Sequence, residues 1–434
     1  MTNNIINFDT NNYRFKEILQ DIFDTENLEE IHLKYKDNLD KELYNKFNDD
    51  KSYFHKIFKE SSLLESFKKE YNKLIKHIMI NNYKDEKFII YQAFPAIRIS
   101  YPGNRSVGEL HKDEDYNHPE EEMNYWFPVT KTSEHNTCWY ETGINSNKYI
   151  PLIINYGQIA EVYFNKLRHY CPINESNKTR ISFDFRIIPG SKWGNVNSKK
   201  ETLFNNIKFQ IGNYYNKLEN PKILLELRIC TKIQETHLFK KGFLENNEKR
   251  IEQYIRGIKR LLEYKKLWEN HNLDIYITDN TSDNINVQIK EILPENIKII
   301  CSNNNNFGCK NKGAGDIEQW IYCKDLICKY DFFIHFEPRL YLENFDFIDN
   351  FLNNPRDLFV YGAGKNHFFT GLFGIQTNIL LDYIKNFNSP DKYRKLGSIE
   401  FNLFNYINKA ISYDTLNKAN VIWRDKVTEK KYHF

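Results

Sequence analysis

The sequence has no run approaching the roughly 18 consecutive apolar residues that a membrane-crossing helix needs, so no membrane span is expected. Cysteine is sparse: there are seven, an odd number, and they are scattered, which argues against a disulfide framework and fits a reducing compartment. Cys301, Cys309, Cys323 and Cys328 cluster, but at no zinc-finger spacing, and they read as ordinary buried thiols. Met1-Thr2-Asn3-Asn4-Ile5-Ile6-Asn7-Phe8 offers no basic start leading into an apolar stretch. A cytoplasmic location without a signal peptide is therefore expected. A surplus of one charge is missing too. The 61 basic and 58 acidic residues leave a net charge of +3, too weak a field to predict nucleic acid or an anionic membrane as a partner.

What remains is a chain rich in core-forming residues, 41% hydrophobic and 15% aromatic over 434 positions, which is globular and long enough for two or three domains. Residues 1–85 are expected to be helical. Phe15, Ile18, Leu19 and Ile22, and later Leu64, Phe67, Tyr71, Leu74 and Ile75, recur at helical spacing with charges between them. From Lys87 the pattern turns to short β-rich runs parted by Gly, Asn, Pro and Asp: Phe88–Tyr91, Ala96–Ser100, Trp126–Val129, Thr137–Glu141, Ile150–Ile153 and Ile181–Phe185. Such a series suits an all-β barrel or jelly roll. A last strand over Phe209–Tyr215 and a linker from Lys217 to Pro221 are expected to close this region, 86–217.

Chemistry concentrates inside it. His111 and Asp113 stand two apart, which on a strand or its exit puts both side chains on one face. His169 follows after enough chain to return as a third ligand. Two imidazoles and one carboxylate with open positions opposite form the facial triad of non-haem Fe(II) sites. Arg180 and Ser182 then supply a planar guanidinium and a hydroxyl, a pair suited to gripping a distal carboxylate. Two other histidines compete as ligands. His118, before Pro119 in the acidic run Glu120-Glu121-Glu122, reads as a solvated loop, and His135 as a turn. Arg186 shares the strand face of Arg180 further along and reads as a structural or substrate-side charge. Asn124, in the apolar setting Tyr125-Trp126-Phe127, needs a hydrogen-bond partner if buried.

These motifs, with Ala93-Phe94-Pro95-Ala96-Ile97-Arg98-Ile99 and Tyr101-Pro102-Gly103-Asn104 before them and Thr179-Arg180-Ile181-Ser182-Phe183-Asp184-Phe185-Arg186 after, resemble the Fe(II)/2-oxoglutarate-dependent dioxygenases of the streptomycin-biosynthesis or phytanoyl-CoA-dioxygenase type. The resemblance implies a double-stranded β-helix with Fe(II) on His111, Asp113 and His169. It also implies 2-oxoglutarate held by Arg180 and Ser182, with Asn124 near its inner carboxylate, and O2 as oxidant. Hydroxylation is the implied outcome, since Asp113 keeps the carboxylate that halogenating relatives replace.

Residues 222–434 alternate strand and helix: strand Ile223–Ile229, a helix through Ile251, Tyr254, Ile255, Ile258 and Leu261-Leu262, strands Leu273–Asp279 and Ile297–Ile300, a helix over Ile317–Ile327 and strand Phe332–Phe336. This predicts a mostly parallel sheet covered on both faces. The order resembles, more distantly, a GT-A-type glycosyltransferase, although Glu337-Pro338-Arg339 offers one carboxylate and a cation where that family carries an Asp-x-Asp metal motif. The fold class expected is thus multidomain α+β: N-terminal helices, a double-stranded β-helix oxygenase core and a C-terminal α/β GT-A-like domain. The expected substrate is a small molecule, sugar or glycan, with a nucleotide-sugar as possible ligand of the last domain. The alternative is a glycosyltransferase with a structural oxygenase-like domain.

Overall fold

The computed structural model describes residues 4–39, 52–106, 109–197, 200–203, 205–232, 247–264, 267, 271–362, 366–410, 412–416, 418–424 and 431–433. The chain divides into two units, Met1–Asn220 and Pro221–Phe434. Each mixes helix with sheet.

In the first unit, helices α1 (Phe15–Ile22), α2 (Tyr53–Glu60) and α3 (Leu64–Asn82) bury the periodic apolar positions legible in the sequence, among them Phe15, Leu19, Phe58, Phe67 and Tyr71. One strand precedes the helices and nine follow them: β1 (Asn4–Asn7), then β2 (Phe88–Gln92), β3 (Ala96–Ser100), β4 (Met123–Pro128), β5 (Trp139–Glu141), β6 (Tyr149–Pro151), β7 (Gln158–Val162), β8 (His169–Tyr170), β9 (Arg180–Pro189) and β10 (Tyr215–Glu219). They make one antiparallel sheet in the order β1-β7-β4-β9-β2-β10, with β3 also on β9, and a small antiparallel sheet β6-β5-β8.

Strand β9 organises the unit because its two faces do different work. Side chains alternate along a strand, so Ile181, Phe183, Phe185 and Ile187 point one way and Arg180, Ser182, Asp184 and Arg186 the other. The apolar face meets the helices. Phe67 lies 4.7 Å from Phe183, Tyr71 lies 5.3 Å from Phe185, and Phe127 of β4 stacks on Phe183 at 5.4 Å. Each fully buried phenylalanine contributes about 2–3 kcal/mol of hydrophobic stabilisation. The helical N-terminal segment is thereby the outer cover of the sheet.

One expected boundary moves. The last strand runs over Tyr215–Glu219, through the stretch expected to be a linker, and pairs residue for residue with β2. Residues 209–214 form turns instead, where Gly212 takes a φ of +86° that side chains resist. Past buried Tyr215, exposed Lys217 and Glu219 share one face and half-buried Asn216 and Leu218 the other, as on an edge strand with one wet face.

In the second unit, β11 (Ile223–Ile229), β12 (Leu273–Asp279), β13 (Lys298–Cys301) and β14 (Phe332–Phe336) are parallel neighbours in the order β13-β12-β11-β14. The short β15 (Tyr341–Leu342) lies in a separate small sheet, while β16 (Leu358–Val360), β17 (Leu372–Gln376) and β18 (Asp414–Leu416) extend the main one with β17 antiparallel to β14. Helix α4 (Asn247–Leu262) packs with Ile223, Leu225 and Leu227 on one face. Helix α5 (Lys312–Tyr322) packs with Leu224, Tyr276 and Phe333 on the other. Two polar residues of β11 also face α5, and both are answered. The Glu226 carboxylate accepts Trp320 Nε1 at 2.8 Å, Thr278 Oγ1 at 2.7 Å and His335 Nδ1 at 2.8 Å. Arg228 lies 3.2 Å from the carboxylate of Asp316. Buried charge costs little only when paired in this way.

Candidate metal centre

His111, Asp113 and His169 converge although they come from different local structures. His111 and His169 exchange backbone hydrogen bonds in an isolated antiparallel bridge, N–H to carbonyl at 3.2 and 2.9 Å. The chain then leaves the bridge, and Asp113 opens a short 3-10 turn, Asp113–Tyr116. The imidazole rings sit 4.3 Å apart, and one ligand atom from each of the three residues lies within 4.8 Å of the others. No other group of three such side chains does so among the described residues.

Each ligand is oriented by a second contact. His111 Nδ1 lies 2.7 Å from the Glu109 carbonyl and His169 Nδ1 3.2 Å from the Leu167 carbonyl. A carbonyl only accepts, so Nδ1 carries the proton in both rings and Nε2 keeps the free lone pair. Phe164 stacks on His169 with ring centres 4.2 Å apart. Asp113 is held by one oxygen. Its Oδ2 accepts Asn124 Nδ2 at 2.7 Å, Arg186 Nη2 at 2.8 Å and Arg186 Nε at 3.1 Å. Its other oxygen, Oδ1, lies 3.7 Å from His169 Nε2. With three donors on Oδ2, only Oδ1 is left to ligate. Burial would raise the Asp113 pKa, but the Arg186 charge, helped by His118 and His169, holds it well below the usual carboxylate range.

Burial, with His111 alongside, pulls His169 down from 6.5 to about 4, against the opposing charge of Asp113. It is therefore neutral and ready to ligate at neutral pH. A folded-state pKa below the unfolded value means the unfolded chain takes the proton first. The stability tied to His169 is then complete above about pH 6.5 and is lost as pH falls towards 4, about 3 kcal/mol in all. Denaturant midpoints of metal-free protein at pH 7.5 and 4.5 should show it, with His169→Gln removing that part of the slope.

Arg180 is wholly buried beside this group. Its Nη1 donates to Ser182 Oγ at 2.7 Å and its Nη2 to Ser106 Oγ; Cys171 Sγ lies 3.8 Å away and the Trp126 ring 5.8 Å. None of these partners is a carboxylate; a hydrogen bond from Cys138, with the Arg180 charge beside it, draws the buried Cys171 thiol down to about 6, and Arg180 Nε is buried with no partner. Cys171 follows His169 by two residues, and Trp126 follows Asn124 by two on β4, so the guanidinium lies along the faces that carry the ligands and their support.

The surroundings of the centre bear out some of the sequence readings and change others. Arg186, read as a structural or substrate-side charge, is the structural one: it is the main support of Asp113, and it also meets Gln92 Oε1 at 3.1 Å and Asp184 Oδ2 at 3.3 Å. Asp184 in turn binds Arg98 Nε at 2.7 Å. His118, expected in a solvated loop, is instead mostly buried, with Nδ1 2.8 Å from Glu122 Oε2. Glu122 is 1% exposed, also accepts the Tyr215 hydroxyl, and lies 3.7 Å from Arg186 Nε. His118 is drawn in as a further partner for the buried Glu122 carboxylate. His135 is exposed and away from the centre. Asn124 spends its amide hydrogen on Asp113, while its Oδ1 is buried without a partner.

No protein-family model matches the chain. Among curated proteins it is 29% identical over 133 residues to the streptomycin biosynthesis protein StrG of Streptomyces griseus, a stretch covering 30% of this chain and 62% of that protein. Among solved structures it is similar to the nickel complex of the non-haem monooxygenase ThoJ, at 15% identity and a TM-score of 0.23 over 27% of this chain and 53% of that one. It is also similar to the non-haem α-ketoglutarate-dependent carbocyclase SnoK of nogalamycin biosynthesis, at 12% and 0.26 over 37% and 74%. A third likeness is to a structure described as a nucleotide-diphospho-sugar transferase from Desulfovibrio desulfuricans, at 11% and 0.30 over 45% and 79%.

Proposed function

We propose that residues 86–217 form an Fe(II)/2-oxoglutarate-dependent oxygenase of the double-stranded β-helix type, hydroxylating a sugar, glycan or related glycoconjugate precursor. One observation carries the reading: two imidazole Nε2 atoms and a single carboxylate oxygen converge, and the buried Arg180 guanidinium keeps a partnerless Nε and no carboxylate. The donor set fits Fe(II), because two neutral imidazoles and one carboxylate leave positions free for further ligands. Arg180 fits the cosubstrate for an independent reason. A buried cation whose Nε finds no acceptor is costly, and a dicarboxylate whose far end reaches Nε and the Ser182 hydroxyl would remove that cost.

Bound Fe(II) and 2-oxoglutarate would supply O2 activation, with the cosubstrate leaving as succinate and CO2. The chain's own residues do the rest. His111, Asp113 and His169 hold the metal; Glu109 and Leu167 carbonyls fix the imidazole tautomers; Arg186 and Asn124 keep Asp113 on one oxygen. Arg180 and Ser182 anchor the distal carboxylate, with the Trp126 face shielding the guanidinium from water. A second reading, glycosyl transfer by a GT-A-like domain over 222–434, is favoured by a charged cleft beside Lys312 and Glu337.

An anaerobic titration of metal-free protein with Fe(II) and then 2-oxoglutarate tests the reading through the visible charge-transfer band of a chelated keto acid. The band should appear in the parent and be absent from His111→Ala. Arg180→Ala should still form it, but at about 100-fold higher 2-oxoglutarate, since a charge-assisted bidentate pair in a buried site is worth about 3 kcal/mol. A folded parent that gives no band would overturn the assignment.

A further inference from the structure

In the second unit the order of strands reverses at β11. The chain runs outward through β12 and β13, then crosses back to place β14 on the other side of β11. In open α/β sheets a ligand crevice opens at such a point, beyond the carboxyl ends of the strands. Here those ends are Ile229 and Phe336, and the side chains beyond them are charged.

Lys312, at the start of α5, places Nζ 2.7 Å from Glu337 Oε2. Arg339 follows on the same turn and gives Nε to Gln253 Oε1 at 3.2 Å. Arg250, 3% exposed, gives Nε to the Cys230 carbonyl at 3.3 Å and Nη2 to the Tyr254 hydroxyl at 3.1 Å. Helix α4 is pressed onto this turn, since a Cβ on Gly257 would stand 1.8 Å from the Pro338 carbonyl oxygen. Arg250, Gln253 and Gly257 therefore meet Glu337–Arg339 along one helical stripe.

The charges do not balance. Arg250 and Arg339 bond only neutral acceptors, so with Lys312 they make three cations around one carboxylate, and all three hold Glu337 ionised against its burial. A cleft of about 250 Å³ opens on this cluster, lined by Lys310, Lys312, Asp316, Glu337, Thr370 and Glu400 among others. A neighbouring one of about 220 Å³ shares Lys312, Glu337, Thr370 and Glu400 and adds Arg339. Asp316 is paired with Arg228; counting Lys310, Lys312, Arg339, Arg250 and Arg228 against Asp316, Glu337 and Glu400 leaves a surplus of two positive charges at the cleft and just behind it. A divalent cation at Glu337 would meet three like charges, and among the described residues the carboxylates of Glu337, Asp316 and Glu400 do not converge as a three-ligand group.

We propose that this cleft binds a phosphate dianion carried on a hydroxyl-rich molecule, with Lys312 and Arg339 in its lining, and the charge of buried Arg250 behind them, standing where a divalent metal would otherwise be needed. Two sources have that charge, the diphosphate diester of a nucleotide-sugar and the monoester of a sugar phosphate. Thr370 and Glu400 offer the hydroxyl and carboxylate that a polyol would hydrogen-bond. The inference concerns binding alone, and stands whether or not a sugar is transferred.

The test is calorimetric titration of the full chain in EDTA, without Fe(II) or 2-oxoglutarate, so its outcome is separate from that of the oxygenase reading. The ligands are UDP-glucose, glucose 6-phosphate and inorganic phosphate. Binding of one ester with Kd about 1 mM or tighter, and of phosphate alone more weakly, is expected; which ester binds names the source. Lys312→Ala, at an exposed position, and Arg339→Ala should each weaken binding about tenfold, with thermal midpoints read alongside. Glu337→Gln should tighten it, because the cations lose their internal competitor. Absence of binding, binding that appears only with added Mg²⁺ or Mn²⁺, phosphate binding as tightly as either ester, or weaker binding by Glu337→Gln would each overturn the proposal.

Discussion

Arg186→Leu is expected to destabilise the N-terminal unit by about 3–5 kcal/mol, the usual result of removing one partner from a buried ionic network. The guanidinium touches two carboxylates directly, Asp113 at 2.8 Å and Asp184 at 3.3 Å, and stands 3.7 Å from a third, Glu122. Arg98 would still answer Asp184 and His118 would still answer Glu122. Asp113 would keep only the Asn124 amide as a full hydrogen bond. A buried carboxylate left so poorly paired must take up a proton or admit water, and either route weakens it as a ligand. Fe(II) affinity should therefore fall together with the urea midpoint, by about 10–100-fold, the range found when a ligand's supporting partner is removed. Arg186→Lys keeps the charge but one donor geometry instead of a fork, and should fall between. A variant with an unchanged midpoint would mean that Asp113 is held by something other than Arg186.

How far these features were legible in the sequence depends on whether they are local. The alternation Arg180-Ile181-Ser182-Phe183-Asp184-Phe185-Arg186 declares one polar and one apolar face, because the side-chain period of a strand is two whatever it pairs with. The helical spacing of Phe67, Tyr71 and Leu74 is local in the same sense, and all three are buried. The convergence of His111, Asp113 and His169 needed a spacing rule together with a resemblance. Arg186 on Asp113 was not legible, since the two are 73 positions apart. Their contact is set by the register that places Arg186 opposite Asn124, which no local pattern encodes. The same holds for His118, whose burial depends on Glu122, and for β10, whose Lys217 and Glu219 suggested solvent until pairing with β2 gave them an edge to occupy. In the second unit the strand and helix alternation was readable. The cation surplus around Glu337 was not, because Arg250 joins it from α4, far back in the chain.

Asp113→Asn, a change of one atom, should abolish metal binding as completely as Asp113→Ala. The reason lies in the three donors on Oδ2. An asparagine amide has one accepting oxygen and one donating nitrogen. Its NH2 group cannot take the Oδ2 position, where it would confront the N–H groups of Asn124 and Arg186. The oxygen must go there, and the NH2 must then point at the two imidazole Nε2 atoms, where a metal needs a lone pair. The polar network is largely preserved in this variant while the ligand is removed. Fe(II) affinity should drop by more than about 100-fold, beyond the effect of removing a supporting partner, and hydroxylation with it. The urea midpoint should move far less than in Arg186→Leu. Equilibrium dialysis against Fe(II) under anaerobic conditions, with denaturation curves of the same preparations, separates the two effects. Retained Fe(II) binding in Asp113→Asn would show that the amide can turn its oxygen to the metal, and that the donors on Oδ2 do not dictate the orientation of this ligand.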